Sequence, residues 1–203
     1  MLRKTISVAT AGLAVLAATL ATPAAAFASD GETKQIHLRK GLTLKIPKSW
    51  KVDRKNADWV RVITGSCPTF GTEDYGFRDW GCRSFWVLGP KALEIGLRTF
   101  QAYNPKYGFD PATDVSVCPK SYKLFKGDWK LAGRGLRQVG PGHKADYHRW
   151  AGTCVDKKFK VKTHYNQREW YLPKSKILVL DQWDHPGLNA ILKNATWNWP
   201  LHP

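Results

Sequence analysis

The sequence predicts an α+β domain built on a mainly antiparallel sheet, and three observations carry that expectation. Short stretches in which apolar and polar residues alternate recur along the chain, the mark of half-buried strands. Two groups of strands are each followed by a stretch with helical apolar spacing, which places helices against a sheet. Cys67, Cys82, Cys118 and Cys154 form an even set. In an exported chain an even set reads as two disulfides.

The elements follow in order. Ile36 to Lys40 makes a short first strand, and Leu42, Leu44 and Ile46 alternate with Thr43 and Lys45 in a second. Pro47-Lys48-Ser49-Trp50 closes it with a turn. Trp59 to Thr64 and Arg83 to Leu88 are the next strands, separated by a Gly-rich loop from Gly65 to Gly81. Pro90 suits the first turn of a helix, and Leu93, Leu97 and Phe100 follow at helical spacing. Asn104 to Pro119 is irregular, with Pro at three turn signals. A meander comes next: Trp129 to Val139, Lys144 to Cys154, Lys158 to Tyr165, Arg168 to Leu172 and Ile177 to Asp181. Leu188, Ile191, Leu192 and Ala195 then form one apolar helical stripe, with Asp184 placed to cap its start.

Residues 1–28 read as an export signal, and residues 29–203 as a single secreted domain. Arg3 and Lys4 open the signal, an Ala- and Leu-rich run follows, and Ala26-Phe27-Ala28 fits the small-x-small cleavage pattern. The run is too short and too rich in Ala and Thr for a membrane anchor, which needs about 20 strongly apolar residues. Removing it takes two cations from the 32 Lys and Arg and none of the 16 acids, so the mature chain carries a net charge of about +14. Outside a cell such a charge seeks wall polymers, anionic lipid headgroups or acidic polysaccharide. The expected location is extracellular or loosely bound to the cell wall, with peripheral membrane contact allowed and no transmembrane anchor.

Three disulfide pairings exist for four cysteines. Cys67–Cys82 with Cys118–Cys154 is favoured because each pair closes a neighbouring loop. No CxxC is present and no His stands at ligand spacing from two cysteines, so neither a metal nor any other cofactor is expected.

The opening Ile46-Pro47-Lys48-Ser49-Trp50-Lys51-Val52 resembles the I-P-x-x-W-x-V start of the Mog1/PsbP-like proteins, a group with exported actinobacterial members. The closing strand Ile177–Leu180, the short helix Leu188–Leu192 and the aromatic Trp197 are similar to the end of that fold. The resemblance implies a curved antiparallel sheet covered by two or three helices. It also implies a non-catalytic accessory or binding protein whose partner is another protein. The four cysteines and the basic excess depart from that pattern.

Two regions stand out as contact surfaces. Lys158, Lys160, Lys162 and His164 share one face if 158–165 is a strand, and Lys157 extends the basic strip. The loop 65–82 offers Tyr75, Phe77, Arg78 and Trp80, aromatic and cationic groups that suit a glycan or another polyanion. An anionic envelope polymer or a protein is therefore the expected partner, with no specific nucleic acid. The alternative is an extracellular hydrolase of wall glycan or polysaccharide. Asp146 and His148 would share a strand face, and His164 on the neighbouring strand would join them in acid–base work. No nucleophile elbow completes that set. Glu169, Asp181 and Asp184 are the acids that paired-carboxylate glycoside cleavage would require.

Overall fold

The structure is a computed structural model, and it describes residues 31–75, 80–95, 102–111 and 117–198. The export signal 1–28, Phe77, Arg78 and the expected helical positions Leu97 and Phe100 lie outside the described residues.

The described residues are mostly β, 52% strand and 8% helical, which corrects the expected α+β class. The strands are β1 (Thr33–His37), β2 (Leu42–Pro47), β3 (Lys51–Asn56), β4 (Trp59–Ile63), β5 (Ser84–Leu88), β6 (Val117–Cys118), β7 (Ser121–Gln138), β8 (Lys144–Val155), β9 (Val161–Leu172), β10 (Ile177–Asp181) and β11 (Thr196–Trp197). Among the described residues they form two sheets, an eight-stranded one in the order β3-β4-β5-β10-β9-β8-β7-β6 and a three-stranded one in the order β1-β2-β11. The described pairings are antiparallel.

Among the described residues two short helices lie against the large sheet but do not cover it by themselves. Helix α1 is Pro90–Leu93 and helix α2 is Leu188–Lys193. The apolar stripe at Leu188 and Leu192 is real and buried. The helix is only 6 residues long, because the chain must return at Thr196 to pair with β2. What covers the first face of the large sheet is the small sheet together with α2. Leu42, Leu44 and Ile46 from β2 pack with Val60, Val62, Phe85, Val87, Trp170, Leu172, Ile177 and Val179. The opposite face carries Trp86, Leu88, Leu178 and Leu180 under Ala92, Leu93 and Phe109. Burial on both faces explains why β5 and β10, apart from Ser84 and Asp181 at their ends, are runs of apolar residues instead of alternating.

Asp184 does not cap α2; Gly187 precedes the helix and no side chain caps it. The Asp184 carboxylate instead meets Arg168 Nε at 3.0 Å and Asn166 Nδ2 at 3.2 Å. Arg168 is almost fully buried and also binds Asp181. A buried guanidinium needs its counter-charges, and that demand outweighs a cap on an exposed helix end.

Both disulfides form as favoured, Cys67–Cys82 and Cys118–Cys154. Among the described residues no helix is long and apolar enough to cross a membrane.

Candidate functional site

The basic strip is built differently from the expected strand face. Lys157 and Lys158 sit in a turn, and β9 begins only at Val161. The cause is Asp156. Its Oδ1 accepts the N–H groups of Lys158 at 2.9 Å and Lys160 at 3.0 Å. The Phe159 N–H donates to the Asp156 carbonyl at 2.9 Å, and the Asp156 N–H donates to the Lys160 carbonyl at 3.0 Å. An Asp that gathers backbone donors in this way folds the chain into a tight turn and competes with a ladder. The Lys160 N–H and the Lys162 ammonium hold the Asp156 carboxyl below the usual carboxylate range. Phe159 takes a left-handed backbone, φ 59°, at the tip of the β8–β9 hairpin. For an aromatic residue that conformation costs about 1 kcal/mol or more.

This turn forms one wall of a groove of about 830 Å³. Tyr122, Lys123 and Phe125 from the start of β7 form another wall, and Asp156, Lys157, Lys158, Lys160 and Lys162 complete the lining. Five ammonium groups thus face one carboxylate. Lys162 Nζ lies 3.2 Å from Asp156 Oδ2, a pairing that leaves the other cations of the groove in excess. Tyr122 and Phe125 are exposed, and Lys123 Nζ sits 5.5 Å above the Tyr122 ring. The Cys118–Cys154 bond ties β6 to the end of β8, next to the Phe125–Val155 pair at which the groove lining begins. Tyr165, Leu124 and Trp129 pack around it. Gly152 lets the Tyr165 ring cross here: a Cβ at Gly152 would stand 2.5 Å from it.

Part of loop 65–82 reaches Tyr122, one of the residues that line this groove. Gly81 N–H donates to the Pro119 carbonyl at 2.8 Å. That bond brings half-buried Trp80 to a ring distance of 5.1 Å from Tyr122. Tyr75 belongs elsewhere. Its hydroxyl donates to Asp53 at 2.8 Å and its ring lies under Arg61 and against Phe70, so it secures the loop to β3 and β4.

The proposed acid–base set is not assembled. Asp146 and His148 do share a face, opposite Tyr171 and Glu169 on β9. His164 pairs with Thr153, five positions from His148 along β8, about 16 Å away. It is exposed at the groove end, where Lys120 donates to its carbonyl at 3.1 Å. Burial lowers the His148 pKa, and its ring stacks on Trp150 at 6.0 Å.

The carboxylates are also separated. Asp181 faces Arg168 across β9–β10, whereas Glu169 faces Leu180 and points to the other side of the sheet. Glu169 is fully buried. Its Oε1 accepts the Phe109 N–H at 2.9 Å and a Gln167 N–H at 2.8 Å. Burial pushes its pKa up to about 7. A fully buried carboxyl under a backbone strap is closed to a polymer chain.

A second cleft, of about 750 Å³, lies at the opposite end of β8, lined by His143, Lys144, Leu172, Lys174, Ser175 and Trp197 among others. The His143 and Trp197 rings stack at 4.1 Å, and the Trp197 indole donates to the Val139 carbonyl. Among the described residues no group of three or more His, Cys, Asp or Glu side chains gathers to hold a metal ion.

Sequence reasoning missed Tyr122, Lys123, Phe125 and Phe159. Phe159 had a readable signal, an aromatic residue between lysines three positions after an Asp turn former. The other three had none, because only tertiary pairing brings the start of β7 beside that turn. Compared with protein-family models, with curated proteins and with solved structures, the chain matches none.

Proposed function

We propose that this chain is a secreted, non-catalytic binding protein that engages an anionic component of the cell envelope through the Tyr122–Lys162 groove. One observation carries the reading: five lysines and two exposed aromatic side chains line a single groove that holds one carboxylate. Cations set around a concave surface focus potential on whatever enters it. The aromatic rings add a face for stacking or apolar contact. Two disulfides and a sequence that opens like an export signal support an extracellular setting. The hydrolase reading loses support because His164 stands apart from Asp146 and His148, and because Glu169 is sealed.

Retention of the mature chain on immobilised heparin, a soluble-polyanion probe, tests this reading. Binding at low salt that falls steeply as ionic strength rises is expected. The Lys157→Ala/Lys158→Ala/Lys160→Ala/Lys162→Ala protein should elute at much lower salt. Unchanged elution of that variant removes the groove from the account.

A further inference from the structure

We infer that the Asp156–Lys162 tip is a membrane-docking finger, with Phe159 entering the interface of an anionic bilayer while the surrounding lysines lie at headgroup level. The inference rests on the anion-binding reading and names its ligand.

Four observations carry it. Phe159 is 85% exposed, the most exposed of the large apolar side chains among the described residues. Val161, two positions on, and Phe125 in the groove lining are 47% and 39% exposed. These apolar groups lie on the protein end that carries Lys157, Lys158, Lys160 and Lys162, two cations on each side of Phe159 in sequence. Finally, the tip is braced: Asp156 holds Lys158 and Lys160 by their backbones, and Phe159 keeps a left-handed conformation under those bonds.

A soluble polyanion satisfies the lysines but offers a projecting phenyl ring little. A bilayer interface satisfies both, since the ring gains an apolar environment and each ammonium a headgroup phosphate. Neither signal suffices alone. A single aromatic side chain and a few lysines give reversible attachment that needs both components. The brace matters for affinity, because a tip already ordered loses little conformational freedom on docking.

The test compares two probes, sedimentation with phosphatidylcholine vesicles that contain or lack phosphatidylglycerol, and retention on heparin. The wild-type chain is expected to sediment with phosphatidylglycerol vesicles and not with pure phosphatidylcholine. Phe159→Ser should weaken vesicle binding by about tenfold or more while heparin retention stays. Phe159→Leu, which keeps an apolar tip, should bind vesicles nearly as the wild type does. If Phe159→Ser sediments like the wild type, or if the wild type binds heparin but no vesicle, the membrane finger is overturned and the anion-binding groove stands. If the wild type binds neither probe, both fall. If Phe159→Ser loses both probes the tip has collapsed, and Phe159→Leu decides: loss of its vesicle binding overturns the inference.

Discussion

Glu169 shows how a single buried group writes a pH dependence into this protein. Burial raises its pKa from an ordinary 4.5 to about 7, so the folded state keeps a proton that the unfolded chain has released. The stabilising effect is therefore full below pH 4.5 and is lost as pH rises through about 7. A shift of that size corresponds to roughly 3 kcal/mol between the two ends of the window. Glu169→Gln keeps an acceptor for the Phe109 N–H and removes the titration. Urea unfolding at pH 5 and pH 8 should show a loss for the wild type that the variant lacks; equal losses would mean that Glu169 does not drive the dependence. Sequence alone marked Glu169 as an acid on a strand, which is correct but incomplete. Its burial depends on Phe109, sixty residues away, folding over β9. Tyr75 and Trp80 make the same point. Both are aromatic residues of one loop, yet one fastens the loop to β3 and the other reaches the groove.

At the scale of elements, the strands with clear alternation or an apolar run were legible, and those shaped by neighbours were not. β2, β4, β5, β8 and β10 follow the sequence pattern closely. β3 was hidden because Lys51–Asn56 is an edge strand made almost wholly of polar residues. β7 begins at Ser121 rather than near Trp129, because most of it is exposed and shows no buried face. β9 reads as two strands in sequence because Asn166 and Gln167 interrupt the apolar pattern; Gln167 is buried and hydrogen-bonded to the Phe109 carbonyl at 2.7 Å. The cover that helices give the sheet was overestimated because apolar spacing shows a face and not a length. Among these elements the β6–β8 staple lies next to the Phe125–Val155 pair at the edge of the groove. Its cysteines are 36 positions apart, so the bond stabilises by about 4 kcal/mol in the chain-entropy model. Cys118→Ser/Cys154→Ser should lower unfolding stability by about that amount and release the amides of β6 to hydrogen exchange. Unchanged protection at Val117 and Cys118 would show that pairing alone holds the strand. Gly152→Ala should also destabilise the packing around this disulfide by roughly 1 kcal/mol or more, by pressing on the Tyr165 ring, as thermal unfolding would detect.

At the scale of the whole molecule, net charge and local charge make different predictions. The chain carries 32 basic and 16 acidic residues, enough to bind polyanions without a dedicated site. The groove reading requires more, that the lysines around Asp156 count for more than lysines elsewhere. The resemblance to the Mog1/PsbP-like proteins carries no part of that reading. The decisive measurement compares two variants of equal net charge on heparin and on phosphatidylglycerol vesicles across a salt series. One replaces Lys157, Lys158, Lys160 and Lys162 by Ala; the other replaces Lys45, Lys55, Lys91 and Lys193, four exposed lysines outside the groove lining. The account predicts that the groove variant is released at markedly lower salt than the wild type, while the control variant shifts only slightly. Equal shifts in the two variants would contradict it and leave overall charge as the only source of attraction.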